Sequence, residues 1–196
     1  MAILVGLDLL GVRNTWIHRP NLRCHRQHLD HRQDNVERQH IVNPTVEGPL
    51  PVQSAHRERI LRSLPEWFVI ESSIVQYVKD VEYMPTLLCH HDGNVVGFMT
   101  IRRHNLYSAE IHVVGVLPTH HRQGIGKALL NRAEEWLVSE GFQFLQVKML
   151  GPSRPDENYD KTRLFYESVG FRSLEEFPTL WGETLPCLLM VKKLTP

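Results

Sequence analysis

Apolar and polar positions divide this chain into a polar opening followed by alternating short strands and amphipathic helices. Residues 13–40 place Arg13, Arg19, Arg23, Arg26, Arg32 and Arg38 among His18, His25, His28, His31 and His40, with few apolar residues between them. Such a stretch buries too little surface to offset its ordering entropy, so residues 1–40 are expected to be a disordered extension and residues 41–196 the folded domain. The absence of lysine before Lys79 marks the same break in composition. Asn43-Pro44 and Gly48-Pro49 interrupt any helix, after which Ser54 to Leu64 reads as a short helix with Ile60, Leu61 and Leu64 inward. Pro65 forces a loop, and Ile70, Ile74, Tyr77, Val78 and Val81 then recur at helical spacing.

Leu87-Leu88-Cys89 and Val95 to Ile101 flank His91-Asp92-Gly93-Asn94, a strong hairpin signal, and a second turn near Asn105 leads into Ala109 to Val116. Three antiparallel strands in a meander are expected. Ile125, Ala128, Leu129, Ala133, Trp136 and Leu137 form the apolar stripe of a helix that Gly141 ends. Phe142 to Met149 reads as a strand, and a strand-helix-strand unit of this kind favours parallel pairing with the strand before the helix. Asp160 to Val169 reads as a further helix stopped by Gly170, with last strands at Phe171 to Leu174 and Cys187 to Val191. The fold class is α/β with a mixed sheet.

Length and charge narrow the class. A chain of 196 residues suits one domain plus an extension. The balance of 22 basic against 22 acidic residues gives no electrostatic reason to expect nucleic acid or a membrane surface as partner. Cys24, Cys89 and Cys187 are widely spaced, which argues against a disulfide framework and fits a cytoplasmic setting. The apolar opening Met1 to Val12 has no basic residue before it and falls short of the roughly 20 residues of a membrane span. His120-His121 lacks a cysteine or carboxylate at ligand spacing, so no metal is expected.

The chemistry concentrates between the third strand and the next helix, at His120-His121-Arg122-Gln123-Gly124-Ile125-Gly126-Lys127. A glycine turn opening a helix presents backbone N–H groups at the positive end of the helix dipole, a site for phosphate oxygens. A Walker A loop would need glycine where His121 stands and Ser or Thr where Ala128 stands; a dinucleotide fingerprint would need glycine at Leu129. Neither pattern is met.

Val116-Leu117-Pro118 followed by His121-Arg122-Gln123-Gly124-Ile125-Gly126 resembles the pyrophosphate loop of the GCN5-related N-acetyltransferase (GNAT) superfamily, Gln/Arg-x-x-Gly-x-Gly/Ala, with His121 in place of the usual Gln or Arg. Thr162-Arg163-Leu164-Phe165-Tyr166-Glu167-Ser168-Val169-Gly170-Phe171 is similar to a second family segment, except that Tyr159, with Asn158 beside it, stands where many relatives have Asn. The resemblance implies the acyl-CoA N-acyltransferase fold over residues 41–194, a β-meander followed by a β-loop-α-β CoA-binding core. It also implies acetyl-CoA as cosubstrate. The cofactor residues it implies are Val114, Val116, His121, Arg122, Gln123, Gly124, Ile125, Gly126, Lys127, Ala128 and Asn158.

Transfer of acetyl from a thioester to an amine needs a deprotonated amine, a polarised carbonyl and a stabilised thiolate. The resemblance points to Glu110, fourteen residues before Gly124, as base. His112, on the same strand face, is the other candidate. A buried glutamate base would need a raised pKa. Tyr166 occupies the family position of the acid beside the CoA sulfur, and a backbone N–H at Val114 to Val116 would polarise the carbonyl. For the acceptor, Trp67, Phe68 and Trp181 are the expected aromatic wall, and Glu66, Glu175, Glu176 and Glu183 suit a cationic amine. Direct transfer is expected because no cysteine lies in the motif strand; the alternative is a non-catalytic module that binds acyl-CoA. A homodimer is one expectation for assembly.

Overall fold

A computed structural model describes residues 3–4, 44–50, 54–64 and 83–195 of the chain. The second helix expected at Ile70 to Val81, most of the 1–40 extension, and Trp67 and Phe68 lie outside the described residues. In chain order the strands are β1 Ile3–Leu4, β2 Thr45–Leu50, β3 Thr86–His91, β4 Asn94–Arg103, β5 Ser108–Val116, β6 Phe144–Leu150, β7 Arg172–Phe177 and β8 Cys187–Lys193. The helices are α1 Ser54–Arg62, α2 Ile125–Ser139 and α3 Glu157–Ser168. One mixed sheet runs β2-β3-β4-β5-β6-β8-β7, with β1 against β5.

The meander β3-β4-β5 is antiparallel, and β5 and β6 pair in parallel across α2, as the strand-helix-strand pattern requires. That parallel pairing covers only Ser108 to Glu110 against Phe144 to Gln146, although β5 runs on to Val116 and β6 to Leu150. Beyond Glu110 the two strands are not joined. Ile3 and Leu4 pair antiparallel with Val114 and Val113 on this stretch of β5, and they also lie against β6.

A bulge sets which side chains share a face. Thr100 pairs with Val113 and Ile101 with Ile111, so His112 is the extra residue on β5. Before it, Ala109 and Ile111 join the core beneath α2; after it, Val114 and Val116 do. Glu110 and Gly115 therefore share the other face. Gly115 takes α1 there, since a Cβ at Gly115 would sit 2.9 Å from Ile60 Cγ2 and 3.0 Å from Phe98 Cε1. Ile60, Leu61 and Leu64 are buried, as the sequence predicts.

Three boundaries differ from the sequence reading. Gly48-Pro49 breaks a helix but not an edge strand: β2 absorbs the pair in an irregularity between Glu47 and Leu50 while pairing with β3. Helix α3 starts at Glu157 rather than Asp160, because the Asp156 side chain accepts hydrogen bonds from the N–H groups of Asn158 and Tyr159 at 2.9 and 3.1 Å and caps it. Gly141, with φ 85°, does end α2, but β6 begins at Phe144 because Phe142 is taken into the core first.

Candidate functional site

The loop between β5 and α2 leaves the start of the helix uncapped. After a single 3-10 turn at Pro118–His120, Arg122 and Gly124 adopt φ of 65° and 81°. Gly124 is the N-cap and has no side chain to bond the first-turn N–H groups of α2, which therefore face outward from an uncapped helix start. Ile125 is buried and seats α2 on β4 at Gly97, where a Cβ would come within 3.0 Å of Ile125 Cγ2. The helix dipole is thus aimed by a glycine-to-isoleucine contact two elements away.

A cleft of about 470 Å³ lies at this helix start, lined by Val116, His120, His121, Arg122, Gly124, Ile125, Gly126 and Lys127 on one side and by Asn158, Lys161, Thr162 and Phe165 of α3 on the other. Among the expected cofactor residues, Val114, Gln123 and Ala128 do not line it. Val114 is in the core, and the Gln123 amide donates to the Thr119 carbonyl at 3.1 Å. His121 Nε2 donates to the Val116 carbonyl at 2.8 Å, tying the loop back to the end of β5. His120 lines the cleft as well but bonds elsewhere, its Nε2 lying 3.2 Å from His91 Nδ1 of the β3–β4 hairpin. The adjacent histidines therefore diverge, and among the described residues no group of three or more His, Cys, Asp or Glu is placed to hold a metal.

Lys161, Thr162 and Phe165 are not among the cofactor residues that the resemblance implies. Their spacing from Asn158 is i+3, i+4 and i+7, one face of a helix, and that periodicity was available. Tyr166, one residue on, is wholly buried and does not line the cleft. It packs edge-to-face on Phe171, with centroids 5.0 Å apart. Its hydroxyl has no hydrogen-bond partner among the described residues. Burial pushes its pKa well above the ordinary tyrosine value, so it stays protonated.

Glu110 lies where β5 and β6 part. It is fully buried, and its Oε2 accepts from His104 Nε2 at 2.5 Å, Lys148 Nζ at 2.7 Å and Gln146 Nε2 at 3.1 Å. Its Oε1 is buried with no partner among the described residues. Burial pushes the carboxyl pKa up, but hydrogen bonding and charge from Lys148, then the bonds from His104 and Gln146, outweigh it and bring the value below the ordinary one. The raised pKa that a buried glutamate base would need is therefore not met at Glu110, because an ammonium sits on it. Gln146 and Lys148 were legible as the polar positions of a strand whose Leu145, Val147 and Met149 are in the core; only the register, Glu110 opposite Gln146, shows that they meet it.

His112 is also fully buried, with Nε2 3.5 Å from Arg102 Nη2. A guanidinium only donates, so this nitrogen presents its lone pair to Arg102. Trp181 is buried at 7% exposure in the β7–β8 connection. Glu176 Oε1 accepts from the Ser153 hydroxyl at 2.5 Å, tying β7 to the 151–153 loop. Burial raises the Cys187 thiol to about 12, so it is no thiolate at neutral pH. Among the described residues no helix is long and apolar enough to cross a membrane.

Comparison with known proteins bears on family and fold. The sequence model of the Acetyltransferase (GNAT) family matches residues 55–171. An uncharacterized N-acetyltransferase of Chlorobaculum tepidum is 25% identical over 118 residues, 59% of this chain and 66% of that protein, so the chain spans slightly under two thirds of that relative. Among solved structures, an aminoglycoside 6'-N-acetyltransferase complexed with coenzyme A superposes with a TM-score of 0.62 at 20% identity, covering 78% of this chain and 98% of the other. A GNAT family acetyltransferase from Elizabethkingia anophelis with acetyl-CoA bound gives 0.60 at 16% identity, covering 78% and 99%. At these identities the structural matches speak to fold alone.

Proposed function

The chain belongs to the Acetyltransferase (GNAT) family, and on that footing we propose that it transfers an acetyl group from acetyl-CoA directly to the primary amine of a small molecule or peptide. The observation that carries the reading is the place where β5 and β6 separate. A buried carboxylate oxygen, Glu110 Oε1, stands at the fork with no partner among the described residues, and the uncapped start of α2 opens beside the end of β5. One end suits a pyrophosphate and the other an amine.

The N–H groups of the first turn of α2 would take the pyrophosphate, with Arg122, Lys127 and Lys161 supplying positive charge around it. The pantetheine arm would run along the edge of β5 that β6 leaves and that Ile3 and Leu4 pair with here, displacing them, and the N–H groups near Val114 to Val116 would polarise the thioester carbonyl. When bound, acetyl-CoA supplies the thioester; the chain supplies alignment and charge.

Glu110 is favoured over His112 for the amine, because its carboxylate keeps lone pairs on a buried Oε1, whereas His112, with its Nε2 lone pair turned to Arg102, carries its proton on Nδ1 and has no nitrogen left to accept one. With its pKa held below the ordinary value, Glu110 remains an anion at neutral pH. An anion there positions the nitrogen and stabilises the positive charge that grows on it as it adds to the carbonyl. It then receives the proton once the nitrogen has acidified by forming that bond. Tyr166, which burial keeps protonated and which does not line the cleft, would be reached by the departing thiolate only as the arm seats against α3, and would then give it its hydroxyl proton. Cys187 is the only described cysteine that senses the Glu110–Lys148 pair, and its raised pKa leaves direct transfer as the simpler route.

The test is acetyl-CoA-dependent thiol release across a panel of primary amines, alongside CoA binding by calorimetry. Release that requires an amine supports the enzyme. Tight CoA binding with no release on any amine would support an acyl-CoA-sensing module instead, and no CoA binding would overturn the site.

A further inference from the structure

Two hydroxyls one helical turn apart on α3 are both buried and both without a hydrogen-bond partner among the described residues: Thr162 Oγ1 and Tyr166 Oη. The tyrosine is used by the mechanism above. The threonine is not, and it needs its own account, since nearly all buried side-chain polar atoms find a partner. A threonine within a helix ordinarily satisfies its hydroxyl on the carbonyl three or four residues earlier. Thr162 is 1% exposed and makes no such bond. Valine has the same shape and would fill the position without an unsatisfied group, so packing alone gives no reason for the hydroxyl.

The residue is also part of a ligand surface. Thr162 lines the cleft with Asn158, Lys161 and Phe165, facing the glycine loop and Val116 at the end of β5. Its neighbours divide the cleft chemically. Lys161 and the loop cations Arg122 and Lys127 suit phosphates, whereas Val116, Ile125 and Phe165 are apolar and suit a methylene chain. A hydroxyl on the same cleft wall as Phe165, one turn before Tyr166, matches an amide group on an otherwise aliphatic arm. Threonine in a helix has two accessible χ1 rotamers, so the hydroxyl can turn toward a ligand with no backbone movement.

We infer that Thr162 is a specificity residue for the pantetheine arm, its hydroxyl hydrogen-bonding an arm amide and thereby setting the thioester beside Tyr166. This rests on the CoA reading of the cleft and adds to it a contact that distinguishes the arm from the nucleotide. The bond is neutral and replaces no other, so its loss should weaken CoA binding by about three- to tenfold.

The experiment compares wild type, Thr162→Val and Thr162→Ser by calorimetry with coenzyme A and with adenosine 3',5'-bisphosphate, which lacks the arm, and follows thermal unfolding without ligand. Thr162→Val should bind coenzyme A more weakly, bind the bisphosphate as wild type does, and unfold at a higher temperature. Thr162→Ser should restore coenzyme A binding. Equal coenzyme A affinities for wild type and Thr162→Val would overturn the inference while leaving the CoA site intact, as would equal weakening of both ligands. Wild-type protein that binds neither ligand would overturn the CoA reading, and this inference with it.

Discussion

Lys148 Nζ lies 2.7 Å from Glu110 Oε2, joining adjacent strands at the last point where β5 and β6 are paired. The side chain of Glu110 is fully buried and that of Lys148 is 22% exposed, so the pair is shielded enough for charge to govern the carboxyl. Replacing Lys148 with Met removes both the hydrogen bond and the charge, leaving His104 and Gln146 on a buried anion. Loss of one partner of such a pair should cost about 2 to 4 kcal/mol. The Glu110 pKa should rise, moving the acid limb of the rate profile to higher pH, which a kcat/KM titration would show. An unmoved limb would mean that Glu110 does not set it.

Glu110→Gln separates the chemical role from the structural one. It keeps the shape but cannot hold a proton at Oε1, so turnover should fall on the order of 10²-fold. CoA affinity should be unchanged, because the loop that would take the pyrophosphate is built from other residues. Stability supplies an independent check. The folded-state pKa of Glu110 lies below its ordinary value of 4.5. Its ionisation therefore stabilises the fold fully above about pH 4.5, and that contribution is lost as pH falls through the lower folded-state value. Wild type should be more stable than Glu110→Gln near neutrality, with the gap closing below about pH 4.5 in denaturant titrations at stepped pH. A gap that is constant with pH would count against a depressed pKa.

Tyr166→Phe removes a hydroxyl that is buried and unpartnered among the described residues. The ring contact with Phe171 is retained, and the cost of burying an unsatisfied group, about 1 to 3 kcal/mol, is relieved. The variant should melt a few degrees higher, while turnover drops at least tenfold for acceptors that depend on protonation of the leaving thiolate. A variant that is both less stable and fully active would make Tyr166 an ordinary core aromatic.

These variants divide what was legible in the sequence from what was not. The order of elements followed from periodicity and turn residues because those signals are local: Asp92-Gly93 makes a hairpin, and Gly141 stops α2. The glycine loop was legible for the same reason, since Gly124 serves as its own N-cap. The surroundings of Glu110 were not, because Lys148 and His104 reach it through strand register and a turn, neither of which leaves a mark on adjacent residues. A bulge at His112 exchanges the faces of every later β5 position, and nothing in the spacing announces it. Glu176 shows the same limit, since nothing in the spacing announces that its Oε1 meets Ser153.

Gly124→Ala tests the loop without touching any side chain that lines the cleft. At φ 81° a Cβ is strained even though nothing stands within 4 Å of where it would lie, so the cost is conformational, about 1 kcal/mol or somewhat more. The relaxed loop should misalign the first-turn N–H groups and weaken coenzyme A and adenosine 3',5'-bisphosphate alike, by about tenfold or more, with kcat reduced less than kcat/KM. That pattern differs from Thr162→Val, which spares the bisphosphate. Undiminished binding of both ligands would show that the phosphates are not held by this helix start.

Residues 1–40 bear on the same site through Ile3 and Leu4, which pair with Val114 and Val113 on the β5 edge that the pantetheine arm would use. Both cannot occupy that edge at once. Two paired residues hold only weakly, so acyl-CoA should displace them, and deleting residues 1–40 should lower the KM for acetyl-CoA by no more than several-fold while leaving kcat and the fold intact. Steady-state kinetics of the truncated protein, with circular dichroism as a check on folding, would measure this. A truncated protein that is insoluble would instead make the extension part of the folded domain, and a raised KM would mean that Ile3 and Leu4 help to hold the arm.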